Sequence, residues 1–176
     1  KDIIIEAKER ANNSNALFHI HLSETKGEVE KFETEHAKSP VKYLDELGVI
    51  DKNTLAAHCV HLSEEDMSII LERDMAVSHN PQSNMKISSG IAPINKLVKM
   101  GVRVSIATDG VASNNKLNMF EEMNFSSKLQ KVSTYDATAL DAKTTVNMGT
   151  RLGADTLKLG NTCGSLEVGK DADLIL

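Results

Sequence analysis

The stretch TLAAHCVHLSEEDMSIILERDMAVSH, residues 54–79, predicts the fold of this chain. Its first segment, 54–60, and its last, 75–79, have the near-continuous apolar composition of parallel strands that are buried on both faces. Between them, Ser63 to Arg73 has the apolar spacing of a helix, and Ser63 with Asp66 resembles an N-terminal cap. A strand, a helix and a strand in this order form one unit of an α/β fold.

The same alternation continues on both sides of this stretch. A strand is predicted before it, at 17–22, and another after it, at 102–107. The predicted helices cover 2–13, 28–37, 41–47, 92–100 and 117–131, followed by the helical segments 138–146 and 150–157. No low-complexity linker interrupts the first 150 residues, so we expect a parallel α/β sheet.

The composition excludes several classes of protein. With 176 residues, 40% of them hydrophobic, and a mean hydropathy of −0.26, the chain is typical of one folded domain. No apolar run approaches the roughly 18 residues of a membrane span and no signal peptide is evident, so we expect a cytoplasmic protein without a membrane partner. A net charge of −5 without a basic cluster argues against nucleic acid as a partner. Cys59 and Cys163 are far apart in sequence, so histidine and carboxylate would have to hold any metal.

Each predicted strand ends in a side chain that can bind a metal or move a proton. These residues are His21, His58, His79 and Asp109. They recur at the spacing of one strand and one helix, so they should lie at one edge of a parallel sheet, within several ångström of a common point. That edge is where α/β enzymes, TIM-type barrels above all, place their active sites.

These residues also have purely structural interpretations. A lone histidine near a strand end is more often a hydrogen-bonded structural residue than a ligand, and Asp109 with Gly110 is a pair typical of a turn. His61 lies in a loop, where contact with the site is the less favoured alternative. The segment 83–90, rich in Ser, Asn and Gly, is either a border of a substrate pocket or a plain surface loop.

Four motifs together resemble a known family. They are HLSET at 21–25, AHCV at 57–60, HNPQSN at 79–84 and ATDG at 107–110. Their order and spacing are similar to the second half of a metal-dependent deaminase of the amidohydrolase superfamily, with the closest resemblance to the 5-methylthioadenosine/S-adenosylhomocysteine deaminases. Guanine deaminases and chlorotriazine hydrolases share most of these motifs. The stretch GSLEVGKDADL at 164–174 resembles the segment by which such chains enter a small β-sandwich.

The resemblance implies a fold and a division into domains. Residues 1–160 would form strands 5 to 8 of a TIM-type (β/α)8 barrel, and residues 161–176 would begin the β-sandwich. The histidine pair of the first strand and the ribose-binding residues would belong to a half that this chain lacks, so we expect a piece of a longer enzyme that binds metal weakly and is inactive alone. Such a piece would expose the inward apolar side chains of Ile20, Leu55 and Ile106.

The resemblance also implies roles for individual residues. His21 and Asp109 would be metal ligands for one divalent ion, zinc foremost, with iron, nickel or manganese as alternatives. Glu24 would shuttle protons and contact the substrate, and His58 would hydrogen-bond the metal-bound hydroxide or the leaving group. Glu24, His58 and Asp109 would thus be the catalytic residues. His19 forms a His-x-His pair with His21, but the pair continues as a fifth-strand motif. This favours a place for His19 beside the metal site or in the barrel interior, with direct metal contact as the less favoured alternative.

The implied reaction is hydrolytic deamination of a purine nucleoside, 5-methylthioadenosine or S-adenosylhomocysteine, with release of ammonia. Its substrate-binding residues would be Glu24, His79, Asn84 and Asp109. The alternatives are a related aminohydrolase or chlorohydrolase that acts on guanine or a triazine, and a non-catalytic amidohydrolase-like protein retained for assembly. The expected partners are a small-molecule substrate and, as an open expectation, further copies of the chain.

Overall fold

The computed structural model describes residues 1–175 and has the predicted α/β architecture. Leu176, the last residue of the predicted sandwich segment, lies outside the described residues. The strands are β1 (Phe18–Leu22), β2 (Thr54–His58), β3 (Ala76–His79) and β4 (Val104–Ile106). The helices are α1 (Asp2–Asn13), α2 (Lys26–His36), α3 (Pro40–Glu46), α4 (Glu64–Glu72), α5 (Pro81–Lys86), α6 (Ile94–Met100), α7 (Met119–Thr134), α8 (Ala142–Gly149) and α9 (Arg151–Thr156). Within residues 1–175, none of the helices has the length and apolar character needed to cross a bilayer.

The strands form one parallel sheet in the order β1-β2-β3-β4. In its register His21 lies opposite Ala57, and Ala57 lies opposite Ser78. Because all four strands run in the same direction, their carboxyl ends share one edge of the sheet. This edge carries the side chains that the sequence analysis singled out.

Two elements differ from the prediction. β4 is shorter than the predicted strand 102–107, because the N–H of Val102 donates to the carbonyl of Leu97 and closes α6. The segment 83–90 begins inside helix α5 rather than as a loop. Pro81 occupies the first turn of α5, where its fixed φ suits a helix and its missing N–H costs nothing.

The main core lies on one face of the sheet. Ala56, Val77 and Val104 are almost fully buried there, and helices α3, α4 and α6 cover them. Each of these three helices contributes a fully buried residue to the cluster: Val41, Ile70 and Leu97. Each buried aliphatic side chain of this size contributes about 1.5–3 kcal/mol relative to an exposed one.

The opposite face of the sheet lines an open cavity of about 660 Å³. His19, Leu55 and Ser78 lie on this face, and α9 with the chain that follows it forms the other wall. The expectation that Ile20, Leu55 and Ile106 are exposed inward is wrong for the exposure of Leu55 and Ile106, which line the cavity but are only 4% and 5% exposed. Ile20 is partly buried and packs against the main core, since it alternates along β1 with His19 and His21.

Lys8 joins α1 to the edge of the sheet at which the strands begin. Its side chain is buried, and its Nζ donates to Asp51 Oδ1 at 2.5 Å and to Thr54 Oγ1 at 3.0 Å. The same ammonium group lies 5.8 Å from the centre of the Phe18 ring. A buried cation is tolerated here because it has both an anionic and a neutral partner.

The chain after α9 forms turns rather than strands over the described residues. Gly164 has φ +88°, and a Cβ atom there would lie 2.6 Å from the Cβ of Ala154 in α9. Glycine therefore allows this segment to lie directly against α9. The division at residue 160 and the β-sandwich stay predictions.

Candidate active site

Three of the four strand-end residues converge. His21, His58 and Asp109 each offer a nitrogen or oxygen that can bind a metal, and these atoms lie within 4.8 Å of one another. His21 is exposed, His58 is buried and Asp109 is half-buried, so the cluster opens to solvent on one side. The predicted convergence is confirmed for these three residues, whereas the roles assigned to them stay predictions.

The backbone at this edge is held in an unusual conformation. Ser23, His58, Cys59 and Asp109 have φ between +49° and +72°. The left-handed region costs a non-glycine residue about 1–2 kcal/mol. The Ser23 carbonyl accepts hydrogen bonds from the N–H groups of Val60 and His61, both at 3.0 Å, and so ties the end of β1 to the segment after β2. Strained positions of this kind cluster at functional sites.

The ring of His58 is fixed by the neighbouring strand unit. Its Nδ1 lies 2.8 Å from Asn84 Oδ1, and both side chains are buried. An amide oxygen only accepts, so Nδ1 carries the proton and Nε2 is left as the acceptor nitrogen. Glu24 Oε1 lies 3.7 Å from the same Nδ1, which places that carboxylate beside the cluster but outside it.

Asp109 is held by three hydrogen bonds. Ser83 Oγ and Ser113 Oγ donate to its Oδ2 at 2.5 and 2.7 Å, and the Gly110 N–H donates to Oδ1 at 2.7 Å. Although partial burial raises the pKa of the Asp109 carboxyl, these three bonds bring it below its ordinary value. The group is therefore an oriented carboxylate at neutral pH.

Two further histidines lie near the cluster. The ring of His19 is 6.5 Å from that of His21, whose ring is stacked 5.3 Å from that of His58. Burial, together with His21 and His58, lowers the pKa of His19. His79 is buried, neither of its ring nitrogens has a hydrogen-bond partner among the described residues, and burial with the nearby His58 lowers its pKa to about 3. Both rings are thus neutral, and the predicted substrate contacts of His79 and Asn84 stay predictions.

Helix α5 carries the residues that the sequence analysis treated as a loop. Ser83 and Asn84, adjacent in α5, contact Asp109 and His58 respectively, so this segment borders the cluster. His61 does not touch the cluster; its Nε2 lies 2.7 Å from the carbonyl oxygen of Ser89 and so joins the segment after α5 to the segment after β2.

The contribution of α7 was missed. The buried residues of this helix are Glu122, Ser126 and Gln130, a polar row at the spacing of successive helical turns. Glu122 accepts hydrogen bonds from Gln82 and Asn114, and Asn114 also donates to the carbonyl of Thr108, next to Asp109. The polar row was the available signal, because a helix that packs on an apolar core ordinarily presents apolar residues at this spacing.

The donor set fits a divalent metal ion. Two imidazoles and one carboxylate are ordinary ligands of zinc, and histidine ligands must be neutral to bind it. Ligand atoms at about 2.0–2.2 Å from one ion lie at most about 4.4 Å apart. The cluster is close to that size, so His21, Asp109 and His58 could hold the ion with small side-chain adjustments.

Comparison with known proteins assigns the family. The model of the amidohydrolase family matches residues 1–176. The chain belongs to the amidohydrolase family. It is 46% identical over its whole length to 5'-deoxyadenosine deaminase of Methanosphaera stadtmanae, of which it covers 41%. It is 52% identical over 158 residues, 90% of its length, to 5-methylthioadenosine/S-adenosylhomocysteine deaminase of Desulforudis audaxviator, of which it covers 37%.

The solved structures agree with this amidohydrolase assignment. A zinc-bound adenosine deaminase from Xanthomonas campestris matches 97% of the chain with a TM-score of 0.93 and 38% sequence identity. The match covers 39% of that protein. The chain therefore spans about two fifths of the length of the relatives and structures that it matches.

Proposed function

We propose that the chain contributes part of the active site of a metal-dependent deaminase that hydrolyses the amino group from the adenine ring of a nucleoside. The substrate would be 5-methylthioadenosine, S-adenosylhomocysteine or a related 5'-substituted adenosine, and the product ammonia. The observation that carries the proposal is the convergence of His21, His58 and Asp109 beside Glu24 in an amidohydrolase chain. The names of its relatives support this choice of substrate class.

The four strands would be strands 5 to 8 of a (β/α)8 barrel. Two observations support this placement. The chain matches about two fifths of a longer relative with a TM-score of 0.93, and one face of the sheet lines an open cavity rather than a packed core. In such a barrel the carboxyl ends of the strands form the catalytic face.

Each residue of the site has a chemical task in this reaction. His21 and Asp109 would hold a divalent ion, with His58 beside them, and the ion when bound makes a water molecule acidic enough to supply a nucleophile near pH 7. Asp109, oriented by Ser83 and Ser113, accepts the proton of the attacking water. His58, with Nδ1 fixed, offers Nε2 as an acceptor for a hydrogen bond from the water or the leaving amine.

Glu24 is the proton donor of the proposed mechanism. It lies outside the metal cluster, and its side chain is 20% exposed, so it can reach a substrate in the opening of the site. Its carboxyl group would protonate the ring nitrogen next to the carbon under attack. The resulting carboxylate would then take the proton of the new hydroxyl group and pass it to the departing amine, and the proton held by Asp109 would restore Glu24. General acid catalysis of this kind contributes about 10²–10⁴-fold to a rate.

The test is ammonia release by the intact protein loaded with zinc. The substrates are 5-methylthioadenosine, S-adenosylhomocysteine, 5'-deoxyadenosine and guanine, together with a chlorotriazine for which the release of chloride is measured instead. We expect the adenosine derivatives to react and Glu24→Gln to lose about 10²–10⁴-fold in kcat. Glu30→Gln, which removes the same charge from an exposed position of α2, is the matched control and should retain activity. Release of ammonia from guanine alone, or of chloride from the triazine alone, would refute the substrate class.

A further inference from the structure

Glu122 is a carboxylate buried inside the protein without a cationic hydrogen-bond partner. Its side chain has no exposed surface, and the three donors that it accepts from are neutral. Gln82 donates from its backbone N–H at 3.2 Å and from Nε2 at 2.7 Å, and Asn114 donates from Nδ2 at 2.6 Å. Burial raises the pKa of Glu122, opposed by these hydrogen bonds.

The donors of Glu122 belong to the two segments that hold the candidate active site. Gln82 is adjacent in α5 to Ser83, which donates to Asp109, and close to Asn84, which accepts from His58. Asn114 lies in the segment after β4 and also donates to the carbonyl of Thr108 at 2.8 Å, directly before Asp109. Gln82 and Thr108 each lie within two residues of a side chain that belongs to the cluster or bonds to it.

Such a group is poorly explained by stability alone. A buried carboxylate loses its hydration, and its amide donors replace that hydration only in part. The rest of the buried row on α7, Ser126 and Gln130, carries no charge. Gln130 bonds to the backbone of Ala92 and Asn95, which shows that a neutral amide can join α7 to the neighbouring chain.

We propose that Glu122 is a positioning residue for the metal cluster, which clamps α5 and the segment after β4 in the arrangement that orients Asp109 and His58. The inference rests on the proposed metal-dependent function. Glu122 does not belong to the cluster and acts on it through Ser83, Asn84 and Thr108. Groups that orient metal ligands in this way are worth about 10–100-fold in metal affinity or activity.

The experiment measures the zinc affinity of the intact protein by competition with a chelator. Glu122→Gln keeps the shape but turns one acceptor into a donor that faces the amides, so we expect zinc to bind about 10–100-fold more weakly. In the double variant Gln82→Glu/Glu122→Gln the carboxylate moves to α5 and the pair is restored with donor and acceptor reversed. The Asn114 bond is not restored, so this variant should recover only part of the affinity.

Two matched variants separate positioning from general destabilisation. Glu121→Gln removes a charge from the same turn of α7, where Glu121 pairs with Lys116 at the surface, and should bind zinc like the unmodified protein. Gln130→Ala removes another buried polar group of α7 away from the cluster, and should lower the melting temperature without weakening zinc binding.

Three results would overturn the inference: unchanged zinc affinity in Glu122→Gln, an equal loss in Gln130→Ala, or no recovery in the double variant. If Glu122→Gln does not fold, Gln82→Met decides the matter, because Gln82 is only half-buried and loses just its side-chain bond to Glu122. Zinc affinity is measured without substrate. A protein that binds zinc in this pattern but releases no ammonia would refute the proposed function and leave the role of Glu122 standing.

Discussion

Replacement of Asn84 by alanine should destabilise the protein by about 1–2 kcal/mol. Asn84 Oδ1 accepts a hydrogen bond of 2.8 Å from His58 Nδ1, and both side chains are about 1% exposed. A buried donor left without a partner costs about 1–3 kcal/mol. The upper part of that range is not expected, because Asn84 Nδ2 is itself buried without a partner and its removal offsets part of the loss.

Asn80→Ala is the matched control for this measurement. Asn80 lies in the same motif, is 4% exposed and loses the same atoms. Its Oδ1 has no partner in the described structure, its Nδ2 makes only a 3.4 Å contact with the carbonyl of Ala107, and it makes no side-chain cap on α5. We expect Asn84→Ala to cost about 1 kcal/mol more than Asn80→Ala, which is about fivefold in the unfolding equilibrium.

Urea unfolding of the intact protein measures both free energies, with equal m-values as the check that the unfolding transition is the same. An equal or larger loss for Asn80→Ala would refute the view that the Asn84–His58 bond holds the ring. It would also remove the argument that Nδ1 carries the proton.

Three further outcomes follow from contacts described above. Lys8→Met should lower the free energy of unfolding, measured in urea, by about 1–3 kcal/mol because it leaves Asp51 without its cation. Arg10→Met breaks only an exposed pair with Glu6 and should change this free energy by less than about 1 kcal/mol. Gly164→Ala should lower the melting temperature clearly more than Gly169→Ala. Both glycines have positive φ, but only at Gly164 does the added Cβ meet α9. Similar melting temperatures for the two variants would contradict this packing. Ser83→Ala should weaken zinc binding about tenfold in a chelator competition, while Ser68→Ala, at an exposed position of α4, leaves it unchanged. Equal affinities would show that Ser83 does not orient Asp109.

The strands and most helices were predictable because they follow from the period of apolar residues. The convergence at the sheet edge was predictable as well, since parallel strands that recur at regular spacing must end together. Neither step needs knowledge of side-chain contacts. The comparisons then supplied the family that the four motifs resemble.

Helix α5 and the network of Glu122 were not predictable in the same way. The sequence after His79 is polar and contains Pro81, which is equally common in loops and in first turns of helices. The buried row on α7 has no apolar period, because its side chains bond to neighbouring backbone and amides instead of filling an apolar core. Such polar contacts depend on tertiary structure, which a local pattern does not encode.

The left-handed backbone at Ser23, His58 and Asp109 lowers the stability of the fold at the candidate active site. Glycine would relieve about 1–2 kcal/mol of backbone strain at any of the three, but at His58 and Asp109 it would also remove the hydrogen bonds to Asn84, Ser83 and Ser113. A library of variants selected only for expression or heat resistance should therefore favour glycine at Ser23, whose buried hydroxyl has no partner in the described structure, and retain His58 and Asp109. Directed evolution of this chain therefore needs an activity screen in every round in which the Ser23 codon is mutated.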